Sequence, residues 1–166
     1  MSFNNLEQQN FPMATEPLSK TRLRLWLKIL KTSRSIEAEV REKLRAEFGS
    51  TLPGFDVLAA LHRSEEGLKM GDLSAELKVS NGNVTGIVER LVKDGMVLRV
   101  PVPEDRRALL VRLTQKGKEY FLVQAEAHEG WIDQHLSAFD EQEANQLQSL
   151  LSLADNQVHD DERINV

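Results

Sequence analysis

Gly95-Met-Val-Leu-Arg-Val-Pro-Val-Pro-Glu-Asp-Arg-Arg-Ala-Leu-Leu-Val-Arg-Leu-Thr114 is the stretch on which the reading of this chain turns. Leu109, Val111 and Leu113 alternate with Leu110 and Arg112, the two-residue period of a strand with one covered face. Met96–Val100 reads as its antiparallel mate. Pro101 and Pro103 donate no backbone hydrogen bond, so they suit a sheet edge or a turn. The expectation is a two-stranded ribbon whose turn carries Asp105, Arg106 and Arg107. Ribbons are unexpected here, because the rest of the chain has helical periodicity.

Directly upstream, Ser80-Asn-Gly-Asn-Val-Thr-Gly-Ile-Val-Glu-Arg90 has few bulky groups at its start. Ser80 predicts an N-cap. Val84, Ile87, Val88 and Leu91 fall on one face of a helix over Asn81–Asp94, which Gly95 ends. Met70–Leu77 predicts a shorter helix before it, with Leu73 and Leu77 inward and Lys78-Val79 as the tight turn. Together these make a helix-turn-helix by length and spacing. A short helix able to enter a groove, followed by a ribbon with arginines at its tip, is a way to grip duplex DNA.

Working outward, Leu18–Phe48 predicts one long helix. Ile36, Val40, Leu44 and Phe48 repeat every four residues, Trp26, Ile29 and Leu30 extend the stripe, and Gly49 stops it. Pro53 opens a second helix with Phe55, Leu58 and Leu61 on one face. Thr114 caps a fifth helix running to about Ala138. Asp140 caps a sixth, with Glu143 completing a capping box and Ala144, Leu147, Leu151 and Ala154 forming its stripe. Residues 1–17 read as a mobile polar tail and residues 159–166 as a frayed, charged end. Long helices at both ends exceed what a small DNA-binding lobe needs. Their apolar stripes require burial, and the same helices of a second copy would supply it. A homodimer also suits DNA reading, with two recognition helices one duplex turn apart.

The bulk numbers narrow the class. The chain has 166 residues, 40% hydrophobic and 28% charged, with no cysteine, so disulfides, thiolate metal sites and thiol redox sensing are excluded. No apolar run approaches the ~18 residues of a membrane span, and the amino-terminal stretch lacks the basic-then-apolar pattern of a secretory signal. A cytoplasmic location is the default expectation. A net charge of −5 runs against DNA binding. Its distribution answers the objection: Met1–Leu68 carries +1, Lys69–Lys118 carries +4 and Glu119–Val166 carries −10. Salt screens charges beyond ~8–10 Å, so binding follows the local field. The basic segment coincides with the helix and ribbon.

Three local patterns give the chain a family resemblance. They are Val84-Thr85-x-x-Val88-x-Arg90-Leu91 followed by Gly95 and Val97-x-Arg99; Asp105-Arg106-Arg107; and Val111-x-Leu113-Thr114-x-x-Gly117. In this order and spacing the sequence resembles the multiple-antibiotic-resistance regulator (MarR) family of winged-helix transcription factors, over about Leu18–Val158. The resemblance implies a mainly α fold with a winged helix-turn-helix. The DNA-binding lobe would span residues 52–113 and the dimerisation helices residues 18–48 and 115–158. It implies a homodimer on a pseudo-palindromic operator of double-stranded DNA, and a pocket for a small-molecule effector between the dimerisation helices and the DNA-binding lobe. Trp26, Arg34, Phe55, His62 and Arg63 belong to helices that line this pocket in similar proteins, and an aromatic acid or its thioester is the family-like effector. Trp26 and Phe55 also read as core residues, and Arg34 and Arg63 as partners for glutamates. One departure is Gly86, where many members carry a basic or polar side chain; Gly82 is a second missing side chain on the same presumed face.

For DNA contact the candidates are Ser80, Asn81, Asn83, Thr85, Arg90, Arg106 and Arg107. Asparagine can pair bidentately with adenine in the major groove, and an arginine fits the negative potential of a narrow minor groove. Arg90 would either hold a phosphate or pair with Asp94 or Glu89. Asp105 would either orient a neighbouring arginine or simply form the turn. Lys69 and Lys78 would clamp the DNA backbone or remain solvated. His128 and His135 lie two helical turns apart, too far for one ion unaided, and His159 with Asp160 and Asp161 is a tail cluster; no metal or cofactor is expected. No Gly-rich phosphate loop, HExxH or GxSxG is present, so no enzyme is expected. The expectation is a ligand-responsive regulator, most readily a repressor. The alternatives are a winged helix that binds protein and a DNA binder without ligand control. Clustered wing arginines favour DNA.

Overall fold

The computed structural model describes residues 16–102 and 105–164. Among the described residues the elements follow in the order α1 (Leu18–Phe48), α2 (Leu52–Arg63), β1 (Leu68–Lys69), α3 (Met70–Leu77), α4 (Asn81–Lys93), β2 (Val97–Val102), β3 (Asp105–Leu113), α5 (Gln115–Leu136) and α6 (Glu141–Ile164). The chain divides into two compact units, residues 1–37 and 38–166. In the first, the described chain is helical from Leu18, and Arg24 pairs with Glu16. Its apolar side chains Leu23, Trp26 and Leu27 are more than half exposed. Trp26 is therefore not a core residue of this chain, unlike Phe55.

In the second unit, local capping chemistry sets the element ends. Thr51 accepts a hydrogen bond from the Gly54 amide at 3.2 Å, and a proline occupies the first turn of α2 as the sequence predicts. The expected capping box forms in full: the Glu143 amide donates to Asp140 Oδ1 at 2.8 Å and the Asp140 amide to Glu143 Oε2 at 3.1 Å. Helix α6 runs on to Ile164, beyond Val158, where the sequence reading ended the domain. Lys78 closes α3 in the left-handed region (φ 52°, ψ 38°), the turn predicted at Lys78-Val79.

A core of Leu44, Val57, Leu58, Leu61, Leu73, Val84, Val88 and Val111 is almost wholly excluded from solvent. Helix α2 is at its centre and packs on α3, α4 and α5. Phe55 is buried with its ring centroid 5.6 Å from Phe121 and 5.0 Å from His128, and His62 lies 4.8 Å from Phe121.

The sheet has three antiparallel strands in the order β1-β3-β2, one more than the sequence suggests. Strand β1 is two residues pairing Leu68 with Val111 and Lys69 with Leu110. It is too short to show any alternation. The ribbon is also longer than expected. Val102 pairs with Asp105 after a register shift at Pro101/Val102, so Asp105, Arg106 and Arg107 belong to strand β3 instead of the turn. Pro101 sits on edge strand β2, where a missing amide donor costs little.

The junction of α4, β2 and α5 explains the third sequence pattern. Gly95 ends α4 with φ 72°. The Thr114 amide then donates to Met96 O at 3.0 Å, and its hydroxyl donates to Gly95 O at 2.7 Å. The same hydroxyl caps α5 by accepting from the Gly117 amide at 2.9 Å. Lys116 Nζ donates to Asp94 O at 2.9 Å. A Cβ at position 117 would stand 1.9 Å from Met96 O, so only glycine allows this approach. The exposed carbonyls at the end of α4 are thus satisfied by the first turn of α5.

A candidate nucleic-acid interface

Helix α4 is two-faced. Val84 and Val88 are fully buried and Leu91 nearly so, as the sequence predicts, while Ile87, expected on the same face, is only half-buried and lines a cleft. Gly82, Asn83, Thr85, Gly86, Glu89 and Arg90 are exposed on its other sides. Ser80 takes the N-cap position (φ −65°, ψ 146°) but makes no side-chain capping hydrogen bond. Its predicted cap is therefore positional.

Among the described residues Arg90 forms no ion pair with Asp94, Glu89 or any other carboxylate, and it lines the same cleft. That cleft holds about 800 Å³ and is walled by α4 (Asn83, Gly86, Ile87, Arg90), by the chain from Phe48 to Thr51, and by Lys116 and Tyr120 of α5. The Tyr120 hydroxyl donates to Phe48 O at 2.8 Å, closing the end of α1. Neither Lys116 nor Tyr120 was singled out from sequence. Both lie on α5, where no local motif marks them; only the docking of its first turns against α4 brings them there.

The other predicted positions are dispersed. The backbone of Asp105, Arg106 and Arg107 lies on β3, while their side chains, and that of Asn81, are outside what the structure describes, as are residues 1–15 and the side chains of His159, Asp160 and Asp161. Phe55 and His62 belong to the ring cluster between α2 and α5. Arg63 pairs with Glu76 at 2.5 Å, the glutamate alternative raised by the sequence. Arg34 is exposed in the first unit.

His128 stacks on Phe55, and its burial holds the imidazole pKa below its ordinary value. His135 Nε2 lies 3.0 Å from Glu39 Oε2, and Glu39 in turn pairs with Lys43 at 3.1 Å. Among the described residues no group of three or more His, Asp or Glu could hold a metal ion, and no helix is long and apolar enough to cross a membrane.

The pairing of a helix-turn-helix with an adjacent hairpin defines a winged helix. Comparison with known proteins carries this further. A model of the MarR family matches residues 48–108. A MarR family transcriptional regulator from Silicibacter pomeroyi superposes with a TM-score of 0.74 at 34% identity, covering 86% of this chain and 99% of that one. The chain belongs to the MarR family of transcriptional regulators. A Streptomyces coelicolor member, solved in complex with DNA, has the same fold, with a TM-score of 0.75 at 21% identity over 89% of this chain and 92% of that one. Among curated proteins, the transcriptional activatory protein BadR of Rhodopseudomonas palustris is 38% identical over 96 residues, which are 57% of this chain and 50% of BadR. The chain spans about half the length of the curated relatives it matches.

Proposed function

We propose that this chain is a homodimeric, sequence-specific DNA-binding repressor, released from a pseudo-palindromic operator by a small anionic ligand. The observation that carries the DNA reading is α4 itself: Val84 and Val88 on one face are fully buried, the opposite face is open, and the segment around it, Lys69–Lys118, carries +4. Helix α4 enters the major groove. Asn81, Asn83 and Thr85 face base edges, while Ser80 and Arg90 hold phosphates. Arg106 and Arg107 reach an adjacent minor groove from the wing, with Asp105 orienting them. Lys69 and Lys78 add backbone charge. The second copy packs against the apolar side chains that α5 and α6 leave exposed.

For the effector, the cleft beside α4 is the better site than the residues expected from sequence, because Arg63 is already paired. Arg90 and Lys116 bring positive charge to a space walled by Phe48 and Tyr120, which suits an aromatic carboxylate or its thioester. Arg90 would serve both DNA and ligand, so occupancy of the cleft opposes DNA binding. Release requires that the ligand prefer the DNA-incompetent state. A tenfold loss of affinity needs ~1.4 kcal/mol of coupling, and operator DNA must weaken the ligand by the same factor. Titrating benzoate-type acids and their thioesters with and without DNA tests this. A ligand whose affinity ignores DNA is not the effector, and a response that survives Arg90→Ala removes the cleft from the reading.

A second reading concerns the sign of regulation. BadR is an activatory protein, so the same DNA-binding apparatus would activate when its site lies upstream of a promoter. A promoter–reporter assay with and without the protein decides between the two.

A further inference from the structure

Two residues of α4 lack any internal reason to be glycine. Gly82 and Gly86 have ordinary helical backbone, since the positive-φ glycines are Gly49, Gly67 and Gly95. A Cβ built at either position meets nothing within 4 Å. Neither conformation nor packing among the described residues therefore requires glycine, yet glycine is among the least favourable helix residues, most so at Gly86 and less at Gly82 in the first turn. Two such residues in a helix of 13 are a cost that the folded chain does not recover by itself.

Their position shows where the return is made. Successive helical residues turn by ~100°, so residues four apart differ by only ~40°. Gly82 and Gly86 thus share one line along α4, on the side opposite the buried Val84, Val88 and Leu91. This is the outermost ridge of the helix, and it is bare backbone. Asn83 and Thr85 flank it on either side, and both are short. A helix with its side chains is ~10–12 Å across, about as wide as the major groove. Long side chains can read bases from a helix held high in that groove. Short ones need the helix axis lower.

We propose that Gly82 and Gly86 are specificity-determining positions: their bare ridge lets α4 settle closer to the base pairs, so that the short side chain of Asn83 reaches an adenine edge. This rests on the DNA-binding function proposed above.

The experiment selects duplexes from a random-sequence pool with the wild-type protein. The recovered consensus duplex and a scrambled duplex of the same composition then serve as probes for Gly82→Ala and Gly86→Ala. Each alanine raises Tm by roughly 2–4 °C, because helix propensity improves and no contact is lost. Each also lowers affinity for the consensus duplex roughly tenfold or more, the size of a lost base contact, while affinity for the scrambled duplex changes less than about twofold. Repeating the selection with the variants returns a weaker preference at the adenine positions.

Several outcomes overturn the proposal. One is a variant that gains stability and keeps full consensus affinity. Another is an equal loss on both duplexes, which makes the ridge a backbone contact only. A fall in Tm means the glycines serve the fold. A loss confined to Gly86→Ala assigns that glycine to the cleft that it lines and Gly82 does not. If the wild-type protein recovers no consensus at all, the DNA-binding reading itself fails, which is a different result from any of these.

Discussion

Helices α4 and α6 carry the same kind of apolar stripe and meet opposite fates. In α4, Val84 and Val88 are wholly buried by the chain's own α2, α3 and β2. In α6, Leu147, Leu150, Leu151 and Leu153 are all at least 40% exposed. Part of α5 behaves likewise, with Leu122 and Val123 exposed while Phe121 and Trp131 are buried. Periodicity states that a face wants to be covered; it does not state by which molecule. The winged-helix lobe is finished within one chain, and the outer faces of α5 and α6 are not. In the homodimer proposed above, the lobe would be held by its own core, while the spacing between two lobes would be left to a contact between chains.

The sharpest way to break this contrast is to charge the unfinished face. Leu147→Glu with Leu151→Glu should turn the dimer into a monomer and lower operator affinity by more than about a hundredfold, because two linked half-sites bind far more tightly than one. Sedimentation gives the first quantity and a DNA titration the second. A helical far-ultraviolet spectrum confirms that the monomer still folds. A double variant that stays dimeric would place the interface elsewhere.

Next in size is a change on the finished side. Gly117→Ala forces a Cβ against Met96 O, and overpacking of this kind costs ~1–3 kcal/mol or more. Thermal unfolding should show a clear loss. Gly130→Ala on the same helix, where a Cβ meets nothing within 4 Å, should not lower Tm. Equal behaviour of the two would mean that the α4–α5 junction yields easily and is not the rigid part of the lobe.

Thr114→Val keeps the shape and removes the hydroxyl that caps α5 and donates to Gly95 O. A lost cap costs ~0.5–2 kcal/mol. Beyond stability, amide exchange at the end of α4 and the start of α5 should rise together, because one hydroxyl serves both. Faster exchange at α5 alone would uncouple the recognition helix from its neighbour.

The smallest effect is expected from His128. Burial lowers its pKa in the folded chain, so folding favours the neutral ring. Stability from this group is full above the unfolded value near 6.5 and declines as pH falls from there through the depressed folded value. Because the ring is only partly buried, the slope should be shallow. His128→Gln should flatten it in unfolding measured between pH 7 and pH 5, and an unchanged slope would assign the acid sensitivity to other groups.

Much of the lobe was legible in the sequence for local reasons. Pro53 opens α2, Asp140 and Thr114 cap the helices that follow them, Gly95 ends α4, and the stripe Val84–Val88–Leu91 faces inward, because each depends on residues within a turn or two. Strand β1 was not legible, since two residues carry no period and Leu68 and Lys69 become a strand only when Val111 and Leu110 arrive beside them. The position of Asp105, Arg106 and Arg107 was misread for a related reason: where a hairpin closes depends on register across the strands, and the shift at Pro101/Val102 leaves no mark on composition.

By itself, then, the sequence determined the helical periods, the caps, the two-residue alternation of the wing and the gathering of positive charge around α4. These are properties of neighbouring residues and of backbone chemistry. Tertiary structure alone decided that Arg90 shares a cleft with Lys116 and Tyr120, that Arg63 is taken by Glu76, and that Gly117 must yield to the Met96 carbonyl. Such facts join residues 13 or more positions apart, and a distance of that kind is set by how whole helices pack, which no local pattern encodes.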